Sequence, residues 1–173
     1  MRYFIELSYL GKNYHGWQIQ PDAKSVQEEL NKAISVVLQE EISIVGAGRT
    51  DTGVHASQMF AHFDTSTELD ENIVFKFNSV LPEDIVVHNV DKVADDKHAR
   101  FDAIARSYEY RIWLGRNPFL LTSTWQLFHQ KLDINAMNNA AKILLEYENF
   151  QAFSKVKTEV KTFNCKITEA IWT

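Results

Sequence analysis

Hydrophobic and polar residues alternate from the second position onward. Tyr3, Ile5, Leu7 and Tyr9 fall on one side of an extended chain, with Arg2, Phe4, Glu6 and Ser8 on the other. A period of two predicts a strand with one face against a core. Residues 10–24 lose the pattern and carry Gly11, Gly16, Pro21 and Asp22, which predicts a long, turn-rich loop. Ser25 with Glu28 three positions later forms a capping box that opens a helix. Val26, Leu30, Ala33, Ile34 and Val37 make the apolar stripe of that helix. Residues 42–45 and 58–63 read as strands on either side of a glycine-rich loop. Asp70 is placed to cap a second helix, which must end near Leu81-Pro82 because proline forbids its continuation.

Residues 85–93 predict another strand, and residues 104–114 a longer one. In the longer one Tyr108, Tyr110 and Ile112 share a face, while Ser107, Glu109, Arg111 and Trp113 share the opposite face. Asn117-Pro118 breaks that pattern. Asp133 opens a helix running to about residue 145, with Ile134, Met137, Ala141, Leu144 and Leu145 as its stripe. Residues 162–172 predict a last strand. Helices are too few for a doubly wound sheet and several strands are adjacent in sequence. The predicted class is therefore α+β, a mostly antiparallel sheet with helices on one face.

The composition is that of an ordinary globular protein: 173 residues, 45% hydrophobic and 24% charged. No uncharged apolar run approaches the roughly 20 residues of a membrane span, and Glu6 interrupts the short apolar start. A single cysteine, Cys165, excludes an intrachain disulfide framework or a cysteine-rich zinc site and reads as a small core residue. These features predict a soluble, cytoplasmic protein without membrane association. The net charge of −5 argues mildly against a nucleic-acid partner until its distribution is read. Residues 1–95 hold fifteen acids and seven bases, and residues 96–173 hold eight acids and eleven bases. Lys97, Arg100, Arg106, Arg111 and Arg116 fall within twenty residues, interleaved with Phe101, Tyr108, Tyr110 and Trp113. Two readings of the cluster stand: a solvated face, or arginine forks for phosphate beside aromatic faces for unstacked bases.

The segment richest in chemistry is Gly46-Ala47-Gly48-Arg49-Thr50-Asp51-Thr52-Gly53-Val54-His55-Ala56. Its glycines permit sharp turns or close approach, and the small polar residues between them leave side chains exposed. In an extended stretch Arg49 and Asp51 project to the same side, and the guanidinium would hold the carboxylate ionised. Such a carboxylate suits a nucleophile or a general base. An Asx-turn, with the Asp51 side chain capping Gly53 and Arg49 pairing with it, fits the spacing equally well. The run lacks the GxxxxGK[ST] order of a Walker loop. His55 and His62 fit no zinc spacing and read as structural, so no metal is expected.

The run Gly48-Arg49-Thr50-Asp51-Thr52-Gly53-Val54-His55-Ala56 resembles the signature of the TruA-type tRNA pseudouridine synthases. The resemblance extends to Tyr9-x-Gly11, Tyr14-x-Gly16-Trp17-Gln18, Ser25-Val26-Gln27 and Asn78-Ser79-Val80-Leu81-Pro82. It continues through Ala99-Arg100-Phe101-Asp102-Ala103, Arg106-Ser107-Tyr108-Glu109-Tyr110 and Phe150-x-x-Phe153. It implies an isomerase that turns uridine into pseudouridine in the anticodon stem-loop of tRNA, with no cofactor because the reaction involves no redox change. It implies a pseudouridine synthase fold of two ferredoxin-like halves, here residues 1–98 with the catalytic loop and residues 99–173 as the start of the second. By the same resemblance Asp51 is the catalytic aspartate, Arg49 holds the base out of its stack and Tyr108 stacks on the target uracil. Arg100, Arg106 and Arg111 would lie near RNA phosphates, and the partners would be tRNA and a second copy of the chain in a homodimer. Family members continue through an "FLxxMVR"-type helix segment that supplies an active-site arginine or lysine partner. Nothing in residues 154–173 matches it, so the expectation is a C-terminally truncated chain with an incomplete second half. A non-catalytic RNA-binding module and, more distantly, a carboxylate-nucleophile hydrolase are the competing readings.

Overall fold

A computed structural model describes residues 1–154 and 162–173. The chain divides into two compact units, Met1–Tyr110 and Arg111–Thr173. In the first unit β1 (Arg2–Tyr9) leads through a 3-10 turn (Gly11–Asn13) to α1 (Val26–Leu38). Two strands follow, β2 (Val45–Gly46) and β3 (Ala56–Asp64), then α2 (Ile73–Val80) and β4 (Ile85–Val93). The strands hydrogen-bond in the order β2-β3-β1-β4, and every pairing is antiparallel. A βαββαβ chain in that order is a ferredoxin-like unit.

The alternation of β1 is realised residue by residue. Tyr3, Ile5, Leu7 and Tyr9 are all buried, while the intervening side chains are only partly covered. Opposite them on β3, Phe63 and Ala61 pair with Tyr3 and Ile5. Val26, Leu30, Ala33 and Ile34 of α1 and Ile73 and Phe77 of α2 close over this face in one continuous core. Both helices therefore cover the same side of the sheet. The pairings of β1 shift register between Leu7 and Tyr9 against β3, and between Glu6 and Leu7 against β4. Such irregularities bend a strand and re-aim its end. Here they fall at the end of β1 from which the Gly11–Trp17 loop departs.

The capping box forms as read. Ser25 Oγ accepts from the Glu28 amide at 3.2 Å, and the Ser25 backbone bonds back to the Glu28 carboxylate. Replacing the fully buried Ser25 with alanine removes that acceptor and lowers stability by about 1 kcal/mol. Chemical denaturation should show this as a lower midpoint at unchanged slope.

Three elements of unit 1 depart from the sequence pattern. The strand expected at residues 42–45 is confined to Val45–Gly46. The backbone of Ile44 is bonded instead by side chains of α1: its N–H donates to Asn31 Oδ1 at 2.9 Å, and its carbonyl accepts from Gln27 Nε2 at 2.7 Å. With Ile42 N–H on Ser35 Oγ, this stretch is laced to the helix rather than to the sheet. The second helix starts at Ile73 behind an Asn72 N-cap, not directly after Asp70. Asp70 forms a turn one step earlier, accepting from the Asn72 amide through Oδ1 and from the Ile73 amide through its carbonyl. The helix still ends before Leu81-Pro82, and Asn78 bonds both backbone groups of Val87, tying that helix to β4. The long strand expected at residues 104–114 is reduced to three residues, β5 (Ile112–Leu114). An alternating sequence becomes a strand only where a neighbour takes up its ladder, and residues 104–111 lie outside the strands.

In the second unit β5 pairs in parallel with β6 (Trp125–Leu127). The connection turns at Pro118–Leu120, where Asn117 accepts from the Phe119 amide. Asp133 caps α3 (Ile134–Ile143) by accepting from the Ala136 amide, as expected, and a 3-10 turn extends it to Glu146. Only Ala141 of its apolar stripe is fully buried. The last expected strand is absent from residues 162–173 apart from one bridge, Asn149 to Asn164. There the Asn138 side chain satisfies both backbone groups of Trp172 instead. Cys165 is exposed, not a core residue. Residues 155–161 of the segment compared with the "FLxxMVR" element lie outside the described residues.

Candidate active site

Residues 47–55 form a loop between β2 and β3, strapped along its length to residues 9–17. At its entry the Ala47 amide bonds to the Phe60 carbonyl at 2.7 Å. Thr50 is held twice: its carbonyl accepts from the Trp17 amide at 3.1 Å, and its Oγ1 meets the Tyr9 hydroxyl at 2.8 Å. Burial raises the Tyr9 pKa, so its hydroxyl stays protonated at that contact. Asp51 to Val54 is a β-turn closed by the Val54 amide on the Asp51 carbonyl, with Gly53 at φ +80 in its third position. That position of a type II turn demands the left-handed region glycine supplies. The Gly53 amide donates to the Tyr14 carbonyl at 3.2 Å. The Asp51–Val54 segment is thus closed as a backbone turn, with its Gly53 amide tied to Tyr14. His55 Nδ1 accepts from the Gly11 amide at 2.8 Å.

Tyr14 is buried, and its hydroxyl donates to Asp84, which also accepts from Asn13 Nδ2. Burial, then the bond to Asp84, raises the Tyr14 pKa far above the usual phenol value. The aromatic ring is thus a neutral, fixed post, and the Tyr14 backbone it anchors receives Gly53.

The strapping leaves the candidate site side chains at the surface. Arg49 and Asp51 are both exposed on the loop. Arg106 reaches back to it: Nη2 donates to the Ala47 carbonyl at 2.6 Å and to the Arg100 carbonyl at 3.1 Å. Arg106 thereby joins the loop to the Ala99-Arg100-Phe101 run, and part of its donor capacity goes to protein carbonyls. The Arg100 guanidinium lies 5.9 Å from the Phe101 ring centre. Tyr108 is 83% exposed on the extended stretch of unit 1. Arg111 opens the second unit, exposed, with its carbonyl accepting from the Trp125 amide. Residues 10–17 fall within the loop predicted at 10–24, but their role as scaffold of the Asp51 turn was not legible. The available signal was the pair Gly11 and Gly16 set among aromatics too large for an ordinary surface loop.

The Ala99-Arg100-Phe101 run has its own support. His62 on β3 is 4% exposed, and its Nδ1 accepts from the Ala99 amide at 3.2 Å. Its ring packs edge-on to His98 at 4.5 Å, and His98 packs on Phe101 at 4.2 Å. Both structural histidines are thus acceptors for backbone amides. Among the described residues no three His, Cys, Asp or Glu side chains are grouped to hold a metal. Burial, followed by the nearby Arg2 and His98 charges, lowers the His62 pKa. The unfolded chain therefore takes up a proton that the folded one resists. The His62 contribution to stability is complete above the ordinary value of 6.5 and declines as pH falls through it toward the depressed folded value. Unfolding free energy should decrease as pH falls below about 6.5. In His62→Asn, which keeps an acceptor but does not titrate, that part of the slope should vanish in denaturant titrations.

The fold and site together define a class: an α+β protein whose first ferredoxin-like unit presents an aspartate on a rigidly backed turn. Among the described residues no helix is long and apolar enough to cross a membrane. A sequence model of the family described as tRNA pseudouridine synthase matches residues 7–102, from the middle of β1 to Asp102. The tRNA pseudouridine synthase A of Bacteroides thetaiotaomicron is 50% identical over 99% of this chain and 64% of its own length. That of Bacteroides fragilis is 50% identical over 99% of this chain and 69% of its own. The Aquifex aeolicus protein of the same name is 36% identical over 92% of this chain and 67% of its own. The chain belongs to the tRNA pseudouridine synthase family, a family of isomerases, and it spans about two thirds of the length of these relatives.

Proposed function

We propose that this protein converts uridine to pseudouridine in the anticodon stem-loop of tRNA, with Asp51 as its catalytic carboxylate. In the reaction the bond between N1 of uracil and C1′ of ribose breaks and the base turns. C5 then bonds to C1′, C5 loses its proton and N1 gains one. Nothing is oxidised or reduced, so a carboxylate acting as nucleophile or general base suffices without a cofactor. The observation that carries the reading is the Asp51 turn. Its backbone is bonded on both legs to residues 9–17, while its side chain stays exposed to a substrate. A fixed carboxylate beside an exposed arginine suits a base that has been extruded from its stack.

On this reading Arg49 occupies the gap left by the extruded base, and Tyr108 stacks on the target uracil. Arg100, Arg106 and Arg111 lie along the phosphates, Arg106 with the donors its bonds to Ala47 and Arg100 leave over. Residues 1–98 form the N-terminal half and residues 99–173 open the second. The working enzyme is a cytoplasmic homodimer with tRNA across both subunits. Incubating the gene product with unmodified tRNA transcripts and mapping pseudouridine position by position tests the reading. Product confined to the anticodon stem-loop supports it. Product elsewhere removes the substrate assignment, and tight binding without product supports the non-catalytic RNA-binding module.

A further inference from the structure

We propose that His55 is a positioning residue for Asp51, acting through Nδ1 as the acceptor that pins the downstream leg of the turn. This rests on the reading of the Asp51 loop as the reaction centre. The geometry is a closed circuit of backbone bonds with one side chain in it. His55 Nδ1 takes the Gly11 amide at 2.8 Å, the Gly11 carbonyl takes the Tyr14 amide at 3.0 Å, and the Tyr14 carbonyl takes the Gly53 amide at 3.2 Å. The Val54 amide then closes on the Asp51 carbonyl at 3.2 Å. Every other link joins one main chain to another, and the His55 link alone uses a side-chain atom.

Close packing makes the link directional. A Cβ on Gly11 would lie 1.9 Å from the Val54 carbonyl oxygen, so the Gly11 backbone rests directly on the peptide next to His55. Gly11 is buried, and with Nδ1 gone its N–H would have to find another acceptor in the same small space. An imidazole that accepts at Nδ1 carries its proton on Nε2, which fixes the tautomer. Asparagine places Oδ1 where histidine places Nδ1, so it is the conservative replacement. Leucine fills similar volume and offers no acceptor.

Three measurements on the gene product test the assignment. Nitrogen-15 spectra should show His55 Nδ1 unprotonated and Nε2 protonated, and a protonated Nδ1 would overturn the proposal. Hydrogen exchange of the Gly11 amide should speed up at least about tenfold in His55→Leu and stay near wild type in His55→Asn. In turnover of unmodified tRNA, His55→Leu should lose about 100-fold in kcat with KM within about twofold, because a misplaced carboxylate costs rate rather than binding. His55→Asn should recover most of that loss. Equal defects in Asn and Leu variants, or a loss confined to KM, would refute a positioning role. If wild type forms no pseudouridine while Gly11 protection still depends on the residue at 55, the pin stands. The reading of the loop as an isomerase site then falls.

Discussion

Replacing Asp51 with asparagine should lower pseudouridine formation by at least about 10³-fold while tRNA affinity stays within about twofold. Asparagine matches aspartate in shape, and residue 51 is exposed, so the substitution leaves nothing buried to repack. The turn keeps its closing bond, since Asp51 contributes its carbonyl to the Val54 amide. What disappears is the carboxylate, and an amide neither adds to the nucleotide as a nucleophile nor accepts a proton at neutral pH. Binding should persist because phosphate contacts supply most of the affinity for RNA, and under the proposed function those fall to Arg100, Arg106 and Arg111. Filter binding and product assays on the same preparation check both halves of the expectation. Unchanged turnover would remove Asp51 from the chemistry.

The second large effect is structural. Gly16→Ala should destabilise the protein by about 2–4 kcal/mol, because left-handed strain and overpacking act at one position. Gly16 sits at φ +90, and a Cβ there would lie 2.3 Å from the Thr50 carbonyl oxygen. That carbonyl is main chain and already accepts from Trp17, so it cannot swing aside as a side-chain tip would. Gly53→Ala provides the contrast. Gly53 also has positive φ, +80, but a Cβ there meets nothing within 4 Å. Its cost should be roughly 1–2 kcal/mol, the conformational part alone. Thermal unfolding of the two variants separates contact from strain, and equal shifts would deny that residues 9–17 act as the template of the loop.

Where local pattern and tertiary environment agree, the fold could be read directly from the residues. The alternation of Arg2–Tyr9, the Ser25 cap and the strand Ile85–Val93 all appear with the expected faces or bounds. Residues 42–45 show why agreement ends. An apolar run looks the same whether its backbone bonds go to a strand or to Asn31 and Gln27 on a helix. Residues 104–111 alternate as a strand should, yet alternation alone does not make a ladder: they lie outside the strands, and Tyr108 stands exposed. The candidate chemistry rests on Arg49 and Asp51, whose motif is local and can be read from sequence. Its support cannot, because the bonds from Trp17, Tyr14 and Gly11 to the loop span more than thirty residues and run mostly through the main chain. The bond from the Gly53 amide to the Tyr14 carbonyl arises only from the approach of two loops distant in sequence, which no local motif records.

The central claim is that the exposed Asp51 carboxylate, held on a turn built by residues 9–17, isomerises uridine in tRNA. It is tested most directly by release of tritium from an unmodified tRNA transcript carrying the label at uridine C5. Formation of the C5–C1′ bond expels that hydrogen, so the gene product should release tritium to water in step with pseudouridine formed, and Asp51→Asn should release none. Stoichiometric tRNA binding without tritium release from the wild-type protein would contradict the account.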